Sequence, residues 1–230
     1  GGGCDVPEWG LGVLYRCSAK YTDAQVMKMA EYFCEHDIPL DILGLEPGWQ
    51  THTYSCSYLW SEKFPNPQKL VEDLGERGIH VNLWQHAFTH PTAPIYEDIR
   101  PHSGNYMVWG GVVPDFACDE AKTIFADYQR KNLVSLGIDG FKLDECDSSD
   151  HTGSWSFPLT AEFPSGLDGE QYHALFGTLY MQTILDALDG TPTLSEVRNA
   201  GALAASYPFV LYSDLYDHAD FIRGIAQSSF

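Results

Sequence analysis

The chain has 230 residues, of which 44% are hydrophobic and 13% aromatic. This apolar content is enough for one large core and excludes an intrinsically disordered chain. The 13 basic and 32 acidic side chains give a net charge of −19, so nucleic acid is not an expected partner, because its phosphates would be repelled. The same acidity favours a neutral substrate. No run of about 18 apolar residues is present, so we expect no membrane partner.

Short apolar runs alternate with helical patterns along the chain. The apolar runs predict strands at residues 11–15, 40–46, 79–86, 140–145, 193–198 and 209–214. Helices are predicted to begin at Thr22-Asp23, Asn66-Pro67 and Asp119, to run over 169–188, and to recur briefly at 220–226. The polar segments 87–117 and 146–168 are predicted to be long loops.

Repeated βα units predict a parallel sheet, either a doubly wound open sheet or a barrel. No glycine-rich phosphate loop follows any strand, which disfavours the nucleotide-binding open sheet. Polar residues at the carboxyl ends of strands are typical of barrel enzymes; here they are Arg16, Glu46, Trp84, His86, Asp144, Arg198 and Asp214. We therefore predict an α/β fold, a (β/α)8 TIM barrel that is incomplete, with about six units and the last two strands missing.

Two acids at strand ends point to a specific chemistry. Asp144 and Asp214 each follow an apolar strand, and two carboxylates facing each other across a barrel mouth are what glycoside hydrolysis requires. An ionised carboxylate attacks the anomeric carbon, while a protonated one donates to the departing oxygen. A single strand-end Asp is also common as a helix cap or ion-pair partner, so the pair alone leaves the function open.

Four segments, in order over nearly the whole chain, resemble glycoside hydrolase family 31 and especially its α-xylosidase-like branch. DGFKLDE (139–145) resembles the family's nucleophile motif, and RNAGALAASYPFVLYSD (198–214) resembles its acid/base segment. IPLDILGLEPGW (38–49) is similar to the second barrel strand, and VPEWGLGVLYRCSAKYTDAQV (6–26) to the entry into the barrel.

The resemblance implies a retaining, exo-acting α-glycosidase that works by double displacement on a carbohydrate substrate. It makes Asp144 the nucleophile and Asp214 the general acid/base, roughly 5–5.5 Å apart, and it requires no metal or organic cofactor. The substrate-binding residues that it implies are Glu46, Trp49, Trp84, Lys142 and Arg198. Lys142 and Asp144 are two apart on one strand and point the same way, so we expect the lysine to keep the aspartate ionised.

Three departures from the family pattern leave the substrate and the domain organisation open. Glu46 stands where the family usually has Asp, the acid/base strand reads Tyr-Ser-Asp (212–214), and the last two strands are not found. The α-glucoside, α-xyloside, α-galactoside and α-N-acetylgalactosaminide remain alternatives. We expect residues 1–230 to be one catalytic barrel domain, a fragment of a larger multidomain chain, completed by further domains or by another copy.

Two other functions compete with hydrolysis. A catalytically inactive carbohydrate-binding relative would fit the altered strand ends, and a metal-dependent barrel lyase or isomerase would use oxygen ligands after the fourth predicted strand. Those ligands would be Asp144, Glu145, Asp147, Asp150 and His151. His86 and His90 have zinc-like spacing, but Pro91 follows and no Glu lies between them, so we expect loop histidines without metal. The six widely spaced cysteines are expected to be mostly small buried side chains.

Overall fold

The computed structural model describes residues 5–199, 202–212, 219, 222 and 223. Its strands are β1 (Leu14–Cys17), β2 (Ile42–Leu45), β3 (His80–Gln85), β4 (Ser103–Val108), β5 (Gly111–Pro114), β6 (Gly140–Leu143), β7 (Ser195–Val197) and β8 (Phe209–Leu211). Its helices are α1 (Asp23–Glu35), α2 (Pro67–Gly75), α3 (Tyr96–Ile99), α4 (Asp119–Asn132) and α5 (Gly169–Leu188). None of the helices in the described residues is long and apolar enough to cross a membrane.

Local capping chemistry explains where three of the helices begin. Thr22 accepts a hydrogen bond from the backbone of Gln25, whose side chain accepts in return from the Thr22 backbone, and Asp168 and Gln171 form the same capping box before α5. Asn66 caps α2, and the following proline occupies the first helical turn. These starts confirm the predicted positions. Helix α4 begins at Asp119 as predicted, but Asp119 is not the N-cap that we expected it to be: Cys118 occupies that position without a side-chain hydrogen bond.

Six strands form one parallel sheet in the order β1-β2-β3-β6-β7-β8. The sheet is strongly curved, because Arg16 on β1 and Glu196 on β7 touch at 2.5 Å with three strands between them. In a flat sheet those two strands would lie about 19 Å apart, given a spacing of about 4.8 Å per strand. The curvature confirms a barrel-type arrangement and excludes the open doubly wound sheet.

The two faces of the curved sheet differ in chemistry. On the outer face, Val81, Leu83, Phe141 and Leu143 are buried in the core beneath the helices. On the inner face the same strands carry Asn82, Trp84 and Lys142, and Trp84 lies directly opposite Lys142. Side chains alternate between the two faces along a strand, so each strand contributes apolar residues to the core and polar residues to the barrel interior.

The sequence prediction differs from the structure in two segments, and in a third it is not tested. The predicted loop 87–117 contains α3 and an antiparallel hairpin, β4–β5, whose turn at Trp109 and Gly110 has positive φ at both residues. The first strand begins three residues later than predicted, and Leu11 lies exposed in a short 3₁₀ turn. The predicted helix over 220–226 and the end of the sixth predicted strand lie mainly outside the described residues.

The cysteines confirm the expectation only in part. Cys17, Cys56 and Cys146 are buried, whereas Cys34 is exposed and Cys118 is half-buried. Each of these five is a free thiol, and Cys4 lies outside the described residues.

Candidate functional site

The predicted site residues gather at the carboxyl end of the parallel sheet. Glu46 directly follows β2, Asp144 follows β6 and Arg198 follows β7. Parallel strands bring their carboxyl ends to the same rim of a barrel, and the side chains of Asp144 and Arg198 accordingly meet there, with the Arg198 Nε 3.1 Å from the Asp144 Oδ1. The structure therefore brings together residues that lie 54 positions apart in the chain.

Asp144 is held as a carboxylate by groups on its neighbouring strands. The Trp84 indole N–H donates to Oδ2 at 2.8 Å, and the backbone N–H of Glu145 donates to Oδ1 at 3.0 Å. Burial alone would raise the pKa of Asp144, but the Arg198 charge and these hydrogen bonds hold it below its ordinary value. The buried Tyr212 hydroxyl faces the same carboxylate and also lowers that pKa, although its hydrogen-bond geometry is poor.

Three carboxylates converge on one guanidinium. Besides Asp144, Arg198 lies 2.5 Å from the Oε2 of Glu145 and 3.2 Å from the Oδ2 of Asp147. We call these four residues the Arg198 cluster. Burial and the adjacent Asp144 charge raise the pKa of Glu145 to about 7. The pKa values of two neighbouring acids are thus shifted in opposite directions, which is a pattern found at catalytic sites.

Lys142 does not have the partner that the sequence suggested. Its Nζ lies 3.5 Å from Glu46 and 5.0 Å above the ring of Tyr212, whereas the cation that lowers the pKa of Asp144 most strongly is Arg198. Arg198 supplies the positive charge instead. The reason is height along the barrel: Lys142 is at the level of Glu46, one layer below Asp144, whereas Arg198 reaches the rim.

A second set of charges fills the barrel interior below the rim. The Arg16 guanidinium lies 3.1 Å from Glu46 and 2.5 Å from Glu196, and it donates to the Asn82 side-chain oxygen at 2.6 Å. With Lys142 these residues form what we call the Arg16 cluster. It ties β1, β2, β3, β6 and β7 together from the inside, and it holds Glu46 in place with two cations.

The predicted aromatic contacts are only partly where the sequence placed them. Trp49 is fully buried and donates its indole N–H to the Trp84 carbonyl at 2.7 Å, so it supports Trp84 from behind and has no face open to a sugar. Trp84 is buried too, and it offers its N–H to Asp144. The half-exposed ring at this point is Tyr54, whose centroid lies 5.4 Å from Trp84 and 5.0 Å from Trp109.

Asp214, the predicted acid/base, lies outside the described residues. Its separation from Asp144 therefore stays a prediction. Within the described residues, β8 leads towards it, and Tyr212 at the end of that strand already faces Asp144.

The two metal alternatives find little support in the part of the chain that is described. No group of three or more His, Cys, Asp or Glu side chains in these residues has the arrangement of a metal site. Asp150 accepts from the backbone N–H groups of Thr152, Trp155 and Ser156, so it organises its own loop. His86 is buried among aromatic rings, and burial lowers its pKa to about 3.

A cavity of about 620 Å³ lies at the opposite end of the barrel. It is lined mainly by Val6, Pro7, Leu185, Leu188, Pro192 and Pro208. These residues precede strands or end a helix, and this end of a barrel contributes to stability and not to chemistry.

Sequence reasoning missed several members of the site. Tyr212 was not assigned to the site, Tyr54 and Trp109 were considered either as a packed loop or as a wall of the sugar pocket, and Glu145 and Asp147 were considered only as metal ligands. The available signal was position. Tyr212 directly follows β8, just as Asp144 directly follows β6, and Glu145 and Asp147 lie within three residues of Asp144.

The family model for the glycosyl hydrolases family 31 TIM-barrel domain matches residues 4–224. The chain belongs to glycosyl hydrolase family 31. It is 28% identical over 153 residues to the α-xylosidase XylQ of Lactiplantibacillus pentosus, an alignment that covers 60% of this chain and 20% of that protein. It is 33% identical over 154 residues to α-glucosidase 2 of Bacillus thermoamyloliquefaciens, covering 58% and 19%.

Solved structures show the same fold. A family 31 α-xylosidase from a soil metagenome, complexed with xylose, matches with a TM-score of 0.81 at 16% identity over 95% of this chain and 34% of that one. The cycloalternan-forming enzyme of Listeria monocytogenes matches with a TM-score of 0.77 at 18% identity over 95% and 24%. The chain thus spans about a fifth of the length of the curated relatives and a quarter to a third of these structures.

Proposed function

We propose that residues 1–230 are one catalytic barrel domain of a larger protein, a retaining α-glycosidase that removes terminal α-linked sugars. The observation that carries this proposal is Asp144: a buried carboxylate at the barrel rim that is kept ionised by Arg198 and by the Trp84 N–H. An ionised, oriented carboxylate in a sheltered site is what attack on an anomeric carbon needs.

In the proposed first step, an Asp144 oxygen forms a bond to the anomeric carbon while the bond from that carbon to the leaving oxygen breaks. Asp214 gives its proton to the leaving oxygen. In the second step Asp214 takes a proton from water, whose oxygen displaces Asp144 from the sugar. The configuration is retained because each displacement inverts it. The role of Asp214 rests on the resemblance of its segment to the family motif.

The substrate hydroxyls are proposed to meet Arg198 at the rim of the barrel and, below it, Glu46 and Lys142 of the Arg16 cluster. Trp84 is proposed to border the same subsite through its edge, beside the half-exposed Tyr54. α-Xylosides and α-glucosides are the first substrates to test, since curated relatives are named α-xylosidase and α-glucosidase. α-Galactosides and α-N-acetylgalactosaminides follow, because Glu46 replaces the Asp that is usual in the family.

The test is covalent trapping in the full-length protein. An activated fluorosugar, 5-fluoro-α-D-xylosyl fluoride or its gluco counterpart, should inactivate the enzyme and leave a glycosyl group on Asp144, located by peptide mass spectrometry. Asp144→Ala should lower kcat/KM on an aryl α-glycoside by about 10⁴-fold or more. Asp127→Ala, an exposed Asp on α4, is the matched control and should keep full activity.

Full activity in Asp144→Ala, or a label on another residue, would overturn the assignment. Sugar binding without turnover in the wild-type protein would point to the alternative, a catalytically inactive carbohydrate-binding relative.

A further inference from the structure

The Arg198 cluster contains an acid for which the proposed double displacement has no use. Glu145 directly follows Asp144, and its side chain is only 11% exposed. Glu145 also adopts a left-handed backbone conformation, with φ of 56°, which non-glycine residues adopt rarely and which is found disproportionately at functional sites. This conformation places its N–H on Asp144 and its carboxyl group on Arg198.

Four groups from three parts of the barrel face Glu145 in the described residues. Asp144 and Asp147 flank it in the segment after β6, and Arg198 approaches from the end of β7. Tyr54 approaches from the loop after β2, and the Glu145 charge helps to raise the pKa of its phenol to about 12, behind burial. Glu145 therefore has two acidic neighbours and one cationic partner, which it shares with both of them.

One guanidinium cannot fully compensate three carboxylates at these distances. Arg198 is 2.5 Å from Glu145 but 3.1 Å from Asp144 and 3.2 Å from Asp147. When Glu145 carries a proton, Arg198 faces two negative charges among the described residues. When Glu145 is ionised, Arg198 makes its shortest contact in the cluster with the Glu145 carboxylate. The attraction of the guanidinium is then divided among three carboxylates, so its interaction with Asp144 weakens.

We propose that Glu145 is a positioning residue that acts through Arg198: its ionisation releases Asp144 from part of the guanidinium charge and makes the nucleophile more reactive. The inference rests on the proposed function of Asp144. Loss of the Glu145 proton also adds negative charge near the carbon that becomes positive in the transition state, which favours attack in the same direction.

The test isolates the nucleophile from the acid/base. Fluoride leaves with little help from a proton donor, so the rate of trapping by 5-fluoro-α-D-xylosyl fluoride or 5-fluoro-α-D-glucosyl fluoride reports the Asp144 side of the site. In the wild-type protein, we expect the first-order trapping rate to rise roughly threefold to tenfold between pH 5.5 and pH 8.5, with its midpoint close to neutral pH.

Glu145→Gln should remove that rise. Gln has the shape of protonated Glu and still accepts from Arg198, so the variant should trap at the wild-type low-pH rate over the whole range. Glu145→Asp, which keeps a carboxyl group, should keep a pH-dependent rise. Glu162→Gln, an exposed glutamate in the neighbouring loop, is the matched control and should keep the wild-type profile. Thermal unfolding establishes that each variant is folded.

The outcomes separate the two proposals. A rise of unchanged size in Glu145→Gln, or a flat profile in the wild-type protein, would overturn the role of Glu145 and leave the glycosidase intact. If neither fluoride inactivates the wild-type protein at any pH and no α-glycoside is turned over, the proposed function falls, and the role of Glu145 falls with it.

Discussion

The two charged clusters inside the barrel are built from similar side chains but differ in balance. In the Arg16 cluster two cations face two acids, Glu46 and Glu196, with Asn82 as a neutral partner. In the Arg198 cluster one cation of the described residues faces three acids. In the first cluster each acid has a cation beside it, whereas the second places several negative charges around one cation and thereby raises the pKa of Glu145.

This difference separates a structural cluster from the cluster that holds the proposed nucleophile. The Arg16 cluster joins strands across the barrel, and its charges neutralise one another. The Arg198 cluster keeps one acid ionised and raises the pKa of the next to about 7. The same residue types therefore join strands in one layer of the barrel and shift the pKa values of neighbouring acids in opposite directions in the next.

The largest expected effect on stability comes from removing the cation of the unbalanced cluster. Arg198→Met should lower the free energy of unfolding at pH 8 by about 3 kcal/mol, because buried carboxylates lose their partner. The deficit should shrink as the pH falls and the acids take up protons. In the wild type, the lowered pKa of Asp144 means that its contribution is present above the unfolded pKa and is lost as the pH falls through the folded value.

Chemical denaturation of the full-length protein at pH 8 and pH 4.5 measures this deficit. Arg100→Met, which removes an exposed arginine paired with an exposed glutamate, is the control and should cost well under about 1 kcal/mol. An equal deficit at both pH values would contradict the charge argument and indicate lost packing.

The balanced cluster should respond more weakly to the same substitution. Arg16→Met removes the contacts to Glu196 and Asn82, but Glu46 keeps Lys142 as a partner. We expect a loss of about 2 kcal/mol in denaturation experiments, with little change between pH 5.5 and pH 8. A loss larger than that of Arg198→Met would reverse the comparison between the clusters.

Much of the fold follows from local sequence patterns, because caps and strand periodicity act over a few residues. The capping groups Thr22, Asn66 and Asp168 fix the starts of α1, α2 and α5. The β4–β5 hairpin was not predicted, because its turn uses Trp109-Gly110, which lacks the Asn-Gly or Asp-Gly signal of such turns.

The site was predictable in its location but not in its pairing. Their positions at strand ends predicted that Asp144 and Arg198 would lie at the same rim of the barrel, but not that they would form an ion pair. Sequence spacing favoured Lys142 as the partner of Asp144, since both lie on one face of one strand. Which cation reaches a carboxylate depends on the layer of the barrel and on side-chain length, and these are fixed only when distant strands come together. Trp49 shows the same limit, because its burial depends on Trp84, 35 residues away.

The smallest expected effect is also the one that most directly tests the imbalance, and it needs no substrate. The raised pKa of Glu145 means that the folded state holds this proton more tightly than the unfolded state does. The unfolding free energy should therefore fall as the pH rises from about 4.5, the usual value for Glu, to about 7, and stay lower above it. Glu145→Gln removes this penalty.

We expect Glu145→Gln to be more stable than the wild-type protein by about 1–2 kcal/mol at pH 8, and to differ little from it at pH 4.5. The pKa shift of Glu145 alone would predict a larger stabilisation, but the partial exposure of its side chain and its contact with Arg198 reduce the effect. Denaturation of both proteins across this pH range measures the difference, with Glu162→Gln as the control. A variant that is less stable at pH 8 than the wild type would show that the Arg198–Glu145 pair outweighs the repulsion, and the imbalance would then lie between Asp144 and Asp147.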